Sequence, residues 1–599
     1  MLERSPSDIA VTGHVREAIA GRRALFGLLV GATILALLWL AFLALSPAGF
    51  GPADAVLLFC FALTLPWMVV GFWNAALGFL IARFAADPLQ TTIPCAAHVP
   101  QHMPIIASTA ILLCIRNEEP QRLVRNLQAM MSDLAASGYA NRFHVHVLSD
   151  TSDASVARME ATAFADLALR WKGRLPLTYR RRETNTGYKA GNIGDFCARW
   201  GDDHEFALVL DADSFMSARA ILRLVRIAQG EPQIGILQSL VVGLPSTSAF
   251  ARIFQFGMRL GMRSYTLGSA WWQGDCGPYW GHNALLRLKP FLQHAQLPLP
   301  KSDEDHILSH DQIEAVLMRR GGYDVHVVPE EHESWEENPP SLPEFIGRDL
   351  RWCRGNLQYW RFLAMPGLKF VSRCQLLFAI LMFLGSPGWI GLLIVGTLAL
   401  AFTDTPANFI RADAGLAIFV AVLVMWFAPK IATVIDIFTR ADARNIFGGS
   451  LRFGASVATE MIFFVLLSQI MWFGHALLIA SLPFGRPIEW AGQVRDDHSV
   501  SIAQAVGAFW PHTLLGVSTL ALLAATHPQT LPYALFLAGG LALSIPLAVV
   551  TAKSAVGRRL TRWGIGRLPE ETTPPACLQA LALPALDGAR RPQAPIAGS

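Results

Sequence analysis

Two carboxylates two residues apart, Asp211-Ala-Asp213, close the apolar run Phe206-Ala-Leu-Val-Leu210. Such a run reads as a fully buried strand of a parallel sheet. Open α/β sheets bind ligands just past the C-terminal ends of their strands. An unpaired carboxylate is too costly to bury for packing alone. The pair therefore points to a divalent cation, Mg2+ or Mn2+, which takes one or two carboxylates and completes its shell with phosphate oxygens and water. The same spacing also fits a plain cap, Asp213 or Ser214, on a helix beginning near Ser217.

Four more groups have chemistry to offer. Arg180-Arg-Arg182 precedes Gly187-Tyr-Lys-Ala-Gly-Asn192. Its glycines let backbone approach a phosphate, and Lys189 supplies charge. The bland reading is a turn with a solvated lysine. Tyr279-Trp-Gly-His-Asn283, preceded by Trp271, Trp272 and Gln273, mixes rings with polar groups, as a sugar-binding surface does; an aromatic core has the same content. Asp311 ends Leu308-Ser-His-Asp311 and opens a helix over Gln312–Arg319. It is either an N-terminal helix acid or a general base for an acceptor hydroxyl. Arg348-Asp-Leu-Arg-Trp352 puts Arg351 where it can bridge a pyrophosphate; interfacial anchoring is the alternative.

The elements that must position these groups follow from patterning. Residues 100–340 alternate strand-like and helical runs: Ile105–Ile115, helix Pro120–Ser137, Phe143–Leu148, helix Ala154–Arg170, Leu177–Arg181, then the Asp211 strand. That order predicts a doubly wound parallel sheet. Glu118 follows its first strand and Asp150 its second, so three strand ends converge with Asp211 and Asp213 on one acidic crevice.

The flanks are membrane-like. The chain is 53% hydrophobic and 16% charged, with a mean hydropathy of +0.37. A net charge of +4 gives no reason to expect a nucleic-acid partner, and eight scattered cysteines without C-x-x-C read as reduced core residues. Leu25–Leu45 and Val56–Ile81 are long enough to span a bilayer, the first as a retained span and not a signal peptide. Arginines 16, 22, 23 and 83 flank this pair and place both outer ends in the cytoplasm. After 370 come Gln375–Phe402, Gly415–Ile437, Ala458–Ser481, Thr513–Ala525 and Leu531–Val550. Their three basic connections cannot all be cytoplasmic if every segment crosses once. Ala458–Ser481, with Glu460, Gln469 and His475, is expected to lie at the interface or to form a hairpin.

The predicted organisation is α/β plus all-α membrane. A cytosolic segment (1–24) leads into two membrane helices and a linker (25–99). A cytosolic catalytic domain (100–340), interfacial helices (341–373) and C-terminal membrane or interfacial helices (374–552) follow. The tail, 553–599, is rich in Pro and Ala and reads as disordered. Some signals are set aside. Arg440/Arg444 and Arg558/Arg562 read as positive-inside charge, and Glu330-Glu-His-Glu333 as a solvated loop. His144-Val-His146 puts two imidazoles on one strand face, too few for a metal site by themselves.

In this order the motifs resemble the family-2 processive glycosyltransferases, such as cellulose, hyaluronan and chitin synthases. The wording of Ile307-Leu-Ser-His-Asp311, Ala315–Arg320, Tyr279–Asn283 and Arg348–Asn356 resembles the branch of proteobacterial glucans biosynthesis glucosyltransferases H. The resemblance implies a GT-A-type domain and the β-1,2-glucan backbone of osmoregulated periplasmic glucans, made from UDP-glucose. It implies that Glu118 and Asp150 hold uridine, and that Lys189, Gly191 and Asn192 form the diphosphate-side loop. Asp211 and Asp213 would hold UDP and metal, with Asp311 the base. Arg348, Arg351 and Trp352 would grip the diphosphate and the acceptor end. Trp280, His282, Asn283 and Trp352 are assigned to the acceptor platform. The segment 484–508, with Gln493, Arg495, Asp496 and Asp497, occupies the place of a gating loop. Implied partners are the growing glucan, membrane lipids, periplasmic glucan-processing proteins and acyl carrier protein, at a bacterial inner membrane. Open alternatives are a β-1,4 or β-1,3 glucan synthase, a non-processive enzyme acting on a lipid phosphate, and a transporter sensing nucleotide sugar.

Overall fold

The computed structural model describes residues 6–47, 49–297, 306–403, 409–484 and 497–582. Among the described residues, ten strands form two sheets: β1 (Thr109–Ile115), β2 (Phe143–Ser149), β3 (Leu177–Arg181), β4 (Phe206–Asp211), β5 (Ser214–Met216), β6 (Ile234–Ser239), β7 (Val242–Gly243), β8 (Ala284–Arg287), β9 (Asp324–Val328) and β10 (Ser334–Glu336). The large sheet has the order β3-β2-β1-β4-β8-β6-β9 and the small one β5-β10-β7. β1 to β4 are parallel, as the alternation predicts. β8 is not: it runs antiparallel between β4 and β6, so the sheet is mixed and not purely parallel. Both faces are covered, which explains the unbroken apolar character of β1 and β4. Helices Pro120–Ala136, Ala154–Trp171 and Ala218–Gly230 bury one face. Helices Tyr188–Trp200, Leu288–His294 and Asp311–Arg320 bury the other.

Among the described residues, six helices are long and apolar enough to cross a membrane: Glu17–Leu45, Pro52–Phe84, Phe370–Ala401, Ala412–Phe438, Ser450–Phe484 and Ile502–Thr526. A seventh candidate, Pro528–Ala542 with Ser544–Thr551, is bent by 57°. The chain is a multi-pass membrane protein. Helix Pro6–Leu45 is continuous, so residues 6–24 of the expected separate segment are an extension of the first apolar helix.

The segment expected to be a hairpin or interfacial is no hairpin: Ser450–Ser481 is one helix. Each polar residue that marked it out has a partner. Glu460 pairs with Lys430. Gln469 donates to Phe536 O at 2.7 Å and accepts from Gly540 N at 2.6 Å. His475 joins Asp349 at 2.6 Å and Ser386 at 2.9 Å. The helix also stays against the catalytic domain, through Phe463 on Phe250 with ring centroids 5.4 Å apart.

The tail is corrected more sharply. Residues 554–563, 569–572 and 576–582 are helical. Glu570 grips buried Arg259 through both carboxylate oxygens (2.9 and 2.7 Å), and Glu571 pairs with Arg252 at 2.7 Å. Cys577 is buried in the core over the outer helices. A composition rich in Pro and Ala reads as disordered, but buried arginines on helix Ala249–Gln273 hold this segment by its acids. Residues 583–599 lie outside the described residues.

Candidate active site

β4 delivers Asp211 to the edge of the sheet, and a tight reversal into β5 follows. Asp211 N–H donates to Ser214 Oγ at 3.0 Å. The helix cap is Ser217, whose Oγ accepts from Ala220 N at 3.2 Å, so neither Asp213 nor Ser214 is spent on capping. β10 pairs antiparallel with β5 and sets Glu336 opposite Ser214. Glu337 N–H donates to Asp213 O at 3.0 Å. His282 bridges the two strands, its Nδ1 3.3 Å from Ser214 Oγ and its Nε2 3.6 Å from Glu336 Oε2. Burial pushes the Glu336 carboxyl up, and neighbouring Asp213 and Asp211 add to it against the opposing pull of His282 and Arg348. Three carboxyl groups thus gather at one place, with His282 and Arg348 acting on them.

Lys189 answers part of it. Its ammonium pairs with Asp211 and donates to Gly281 O at 2.7 Å. Burial is the strongest single influence and lowers its pKa, but Asp211, Cys114 and Asp311 together turn the net shift upward. Gly281 has φ +83°, and a Cβ there would lie 3.4 Å from Asp311 Cβ. Gly281 therefore borders both groups, Lys189 with its partner Asp211 through its carbonyl, and Asp311 through its Cα. Asp311 is the first residue of its helix, His310 holding the cap position. Ser309 Oγ donates to Asp311 Oδ1 at 3.1 Å. The neighbouring His310 lies 2.9 Å from Glu314; burial disfavours its charge, but Glu314 raises its pKa overall.

Helix Leu342–Leu357 brings Arg348 toward the acids. Its guanidinium donates to Asn338 Oδ1 at 3.3 Å and lies 4.7 Å from the Trp352 ring, a contact that the i, i+4 spacing makes possible. Trp352 is 48% exposed, which leaves a ring face for a ligand.

Other expected residues that are described have partners within the protein. Asn192 is buried, accepting from Arg180 at 2.6 Å and donating to Leu148 O at 3.0 Å. A Cβ on Gly191 would strike Thr186 O at 2.0 Å. Both residues shape the turn, and of the Lys-Ala-Gly-Asn group only Lys189 reaches the acids. Asn283 is fully buried and donates to Ser334 Oγ and Trp335 O at 2.9 and 3.1 Å, so its amide is not available to an acceptor sugar. Asp150 is held by Arg182 through two bonds of 2.7 Å. Glu118 meets Arg122 at 3.3 Å, and Arg122 reaches Glu337 at 2.7 Å. Trp271 and Trp272 anchor the first membrane helix: Trp272 stacks on Phe26 with centroids 4.3 Å apart, and Arg22 lies over Trp271. Gln493, Arg495 and Asp496 lie outside the described residues. Asp497 accepts from Thr247 Oγ1 at 2.5 Å, beside the catalytic domain. Sequence reasoning missed Glu336 and Glu337; their only local signal is a pair of acids after Trp335 and before Asn338-Pro-Pro340.

Residues 110–294 match glycosyl transferase family 2, and residues 206–431 match glycosyl transferase family group 2. The chain belongs to the family 2 glycosyltransferases. Its α/β part is a GT-A-type domain. The chain is 34% identical over 577 residues to glucans biosynthesis glucosyltransferase H of Ralstonia nicotianae, covering 94% of this chain and 66% of that protein. It is 34% identical over 542 residues to the protein of the same name from Pseudomonas putida, covering 88% and 63%. It therefore spans about two thirds of the length of the curated relatives it matches. A solved mannosyltransferase from Pyrobaculum calidifontis aligns at 14% identity over 64% of this chain and 98% of its own, with a TM-score of 0.42. The family matches run through both the Asp211 strand and the Arg348 helix, so the two halves of the candidate site fall inside them.

Proposed function

We propose that this glycosyltransferase is an inverting, processive glucosyltransferase that builds a β-1,2-glucan from UDP-glucose and passes the chain through its membrane helices. The observation that carries the chemistry is that one loop residue, Gly281, borders both Asp311 and the Lys189–Asp211 pair. The donor diphosphate and the acceptor hydroxyl meet at that loop.

Asp211 and Asp213, with Glu336 behind them, offer oxygen donors only, which suits a hard divalent cation such as Mg2+ or Mn2+. When bound, the ion supplies charge that neutralises the diphosphate leaving group. Lys189 and Arg351 add positive charge where negative charge grows. Asp311 takes the proton of the acceptor hydroxyl as its oxygen attacks C1 of glucose. One displacement turns an α donor into a β product. Trp280 and Trp352 stack the terminal sugar and His282 orients it; the buried Asn283 acts only as support for the loop.

The β-1,2 linkage, the glucan product and the bacterial inner-membrane setting rest on likeness to the glucosyltransferase H relatives. So does any dealing with periplasmic glucan-processing proteins or acyl carrier protein. A cytoplasmic catalytic domain follows from where UDP-glucose is made available. The test is purified protein with UDP-glucose, scored for UDP release and for linkage by methylation analysis. Mainly 1,2-linked glucose is expected. Mainly 1,4 or 1,3 links would overturn the linkage and leave the transferase chemistry standing; no turnover with UDP-glucose would overturn the donor.

A further inference from the structure

The two histidines of β2 do not stand alone. His204, on the approach to β4, joins them, and all three rings offer a nitrogen within 4.8 Å of the others. The strands carrying them are not neighbours, since β1 lies between β2 and β4. In register, β1 places Ala110 beside His144 and beside Ala207. Two alanines leave open the space above the sheet that the imidazoles fill. Ring centroids are 4.1 Å apart for His144–His146 and 5.6 Å for His146–His204.

From this geometry we infer a transition-metal site, best suited to Zn2+, formed by His144, His146 and His204. His146 is the decisive residue. It is 1% exposed, and neither ring nitrogen has a hydrogen-bond partner. A buried imidazole left wholly unpaired is costly; a coordinated metal removes that cost. The outer two rings are held as ligating histidines are, by a second partner on the ring. His144 Nε2 lies 2.9 Å from Thr178 Oγ1, and His204 Nδ1 lies 2.8 Å from Ser108 Oγ. A neutral imidazole that donates one N–H to a hydroxyl keeps a lone pair on its other nitrogen. Three imidazoles select Zn2+ or its borderline neighbours and reject Mg2+. Zn–N bonds of about 2.1 Å require the rings to close in slightly. Exposed Asp203 acts electrostatically on His144 and His204.

His204 precedes β4, while the register sets His144 level with Ala207 and His146 level with Val209, two strands away from β4. None of the three histidines is among the residues placed at the transfer site, so the metal would act as a staple. It ties β2 to the entry of β4, and through Thr178 to β3.

The experiment uses the full chain in detergent, stripped with chelator and then held in excess Mg2+ to occupy the carboxylate site. Wild type is expected to retain one equivalent of Zn2+ through gel filtration and to give the visible band of tetrahedral Co2+. His146→Phe keeps the ring packing and should lose both signals. His204→Gln, on the exposed side, should do the same and carries the test if His146→Phe does not fold. Ser108→Ala should weaken Zn2+ binding by roughly 10-fold or more. Failure of wild type to hold Zn2+ overturns the proposal, as does Zn2+ held equally well by His204→Gln.

Discussion

Trp335 Nε1 donates to Glu570 at 3.1 Å, so the C-terminal segment is bonded to the residue next to Glu336 in the acid cluster. Glu570 is also the partner of Arg259. Removing one member of a buried ion pair typically costs about 3–5 kcal/mol. Glu331 also contacts Arg259, at 2.6 Å, and softens the loss. Glu570→Gln is expected to destabilise the catalytic domain by roughly 3 kcal/mol. Thermal unfolding of the purified protein checks this; an unchanged melting temperature would mean that the tail rests on the domain without supporting it.

Asn192 provides a contrast between support and substrate contact. Asn192→Ala leaves Leu148 O and Arg180 short of a buried partner, at about 1–3 kcal/mol. Stability should fall while KM for the donor holds steady. A large rise in KM with unchanged stability would return Asn192 to the diphosphate.

For the metal, Asp213→Ala and chelation of the wild type should each abolish UDP release. Activity should return to chelated wild type, and not to the variant, on adding Mg2+ or Mn2+. Full turnover in chelator would remove the metal from the mechanism.

Asp311→Asn keeps the shape of the helix start and removes the base. Turnover should drop by ~10²–10⁴-fold with UDP-glucose binding retained. Normal turnover would reduce Asp311 to a first-turn acid favoured by the helix dipole.

Topology is open to a direct check. Arg23 donates to Gln273 O and Asp275 from the base of the first membrane helix, and residues 554–582 pack on the same catalytic domain. Both ends of the membrane region thus face the catalytic side, which requires an even number of crossings. Cysteines placed near the two termini should react with an impermeant label from the same side of sealed vesicles. Labelling from opposite sides would contradict the packing of the tail.

What the sequence determined by itself is local. Apolar runs and their spacing predict β1 to β4, the helices between them and the membrane segments, because burial on both faces or in lipid leaves its mark residue by residue. The Asp-x-Asp pair, Lys189 and Asp311 are legible because each lies at the start or end of an element, and Arg348, in mid-helix, is legible only from the Arg-Asp-Leu-Arg-Trp wording. Tertiary structure decided the rest. Glu336 joins the acids only because β10 pairs with β5 across a long stretch of chain. Asn192 and Asn283 sit in motifs yet turn inward, since their amides satisfy backbone carbonyls brought by other strands. The tail is ordered by arginines on a distant helix. His204 completes the histidine cluster because β4 begins one strand away from β2. In each case the partner is remote in sequence, and only the packing of separate elements places it within bonding distance.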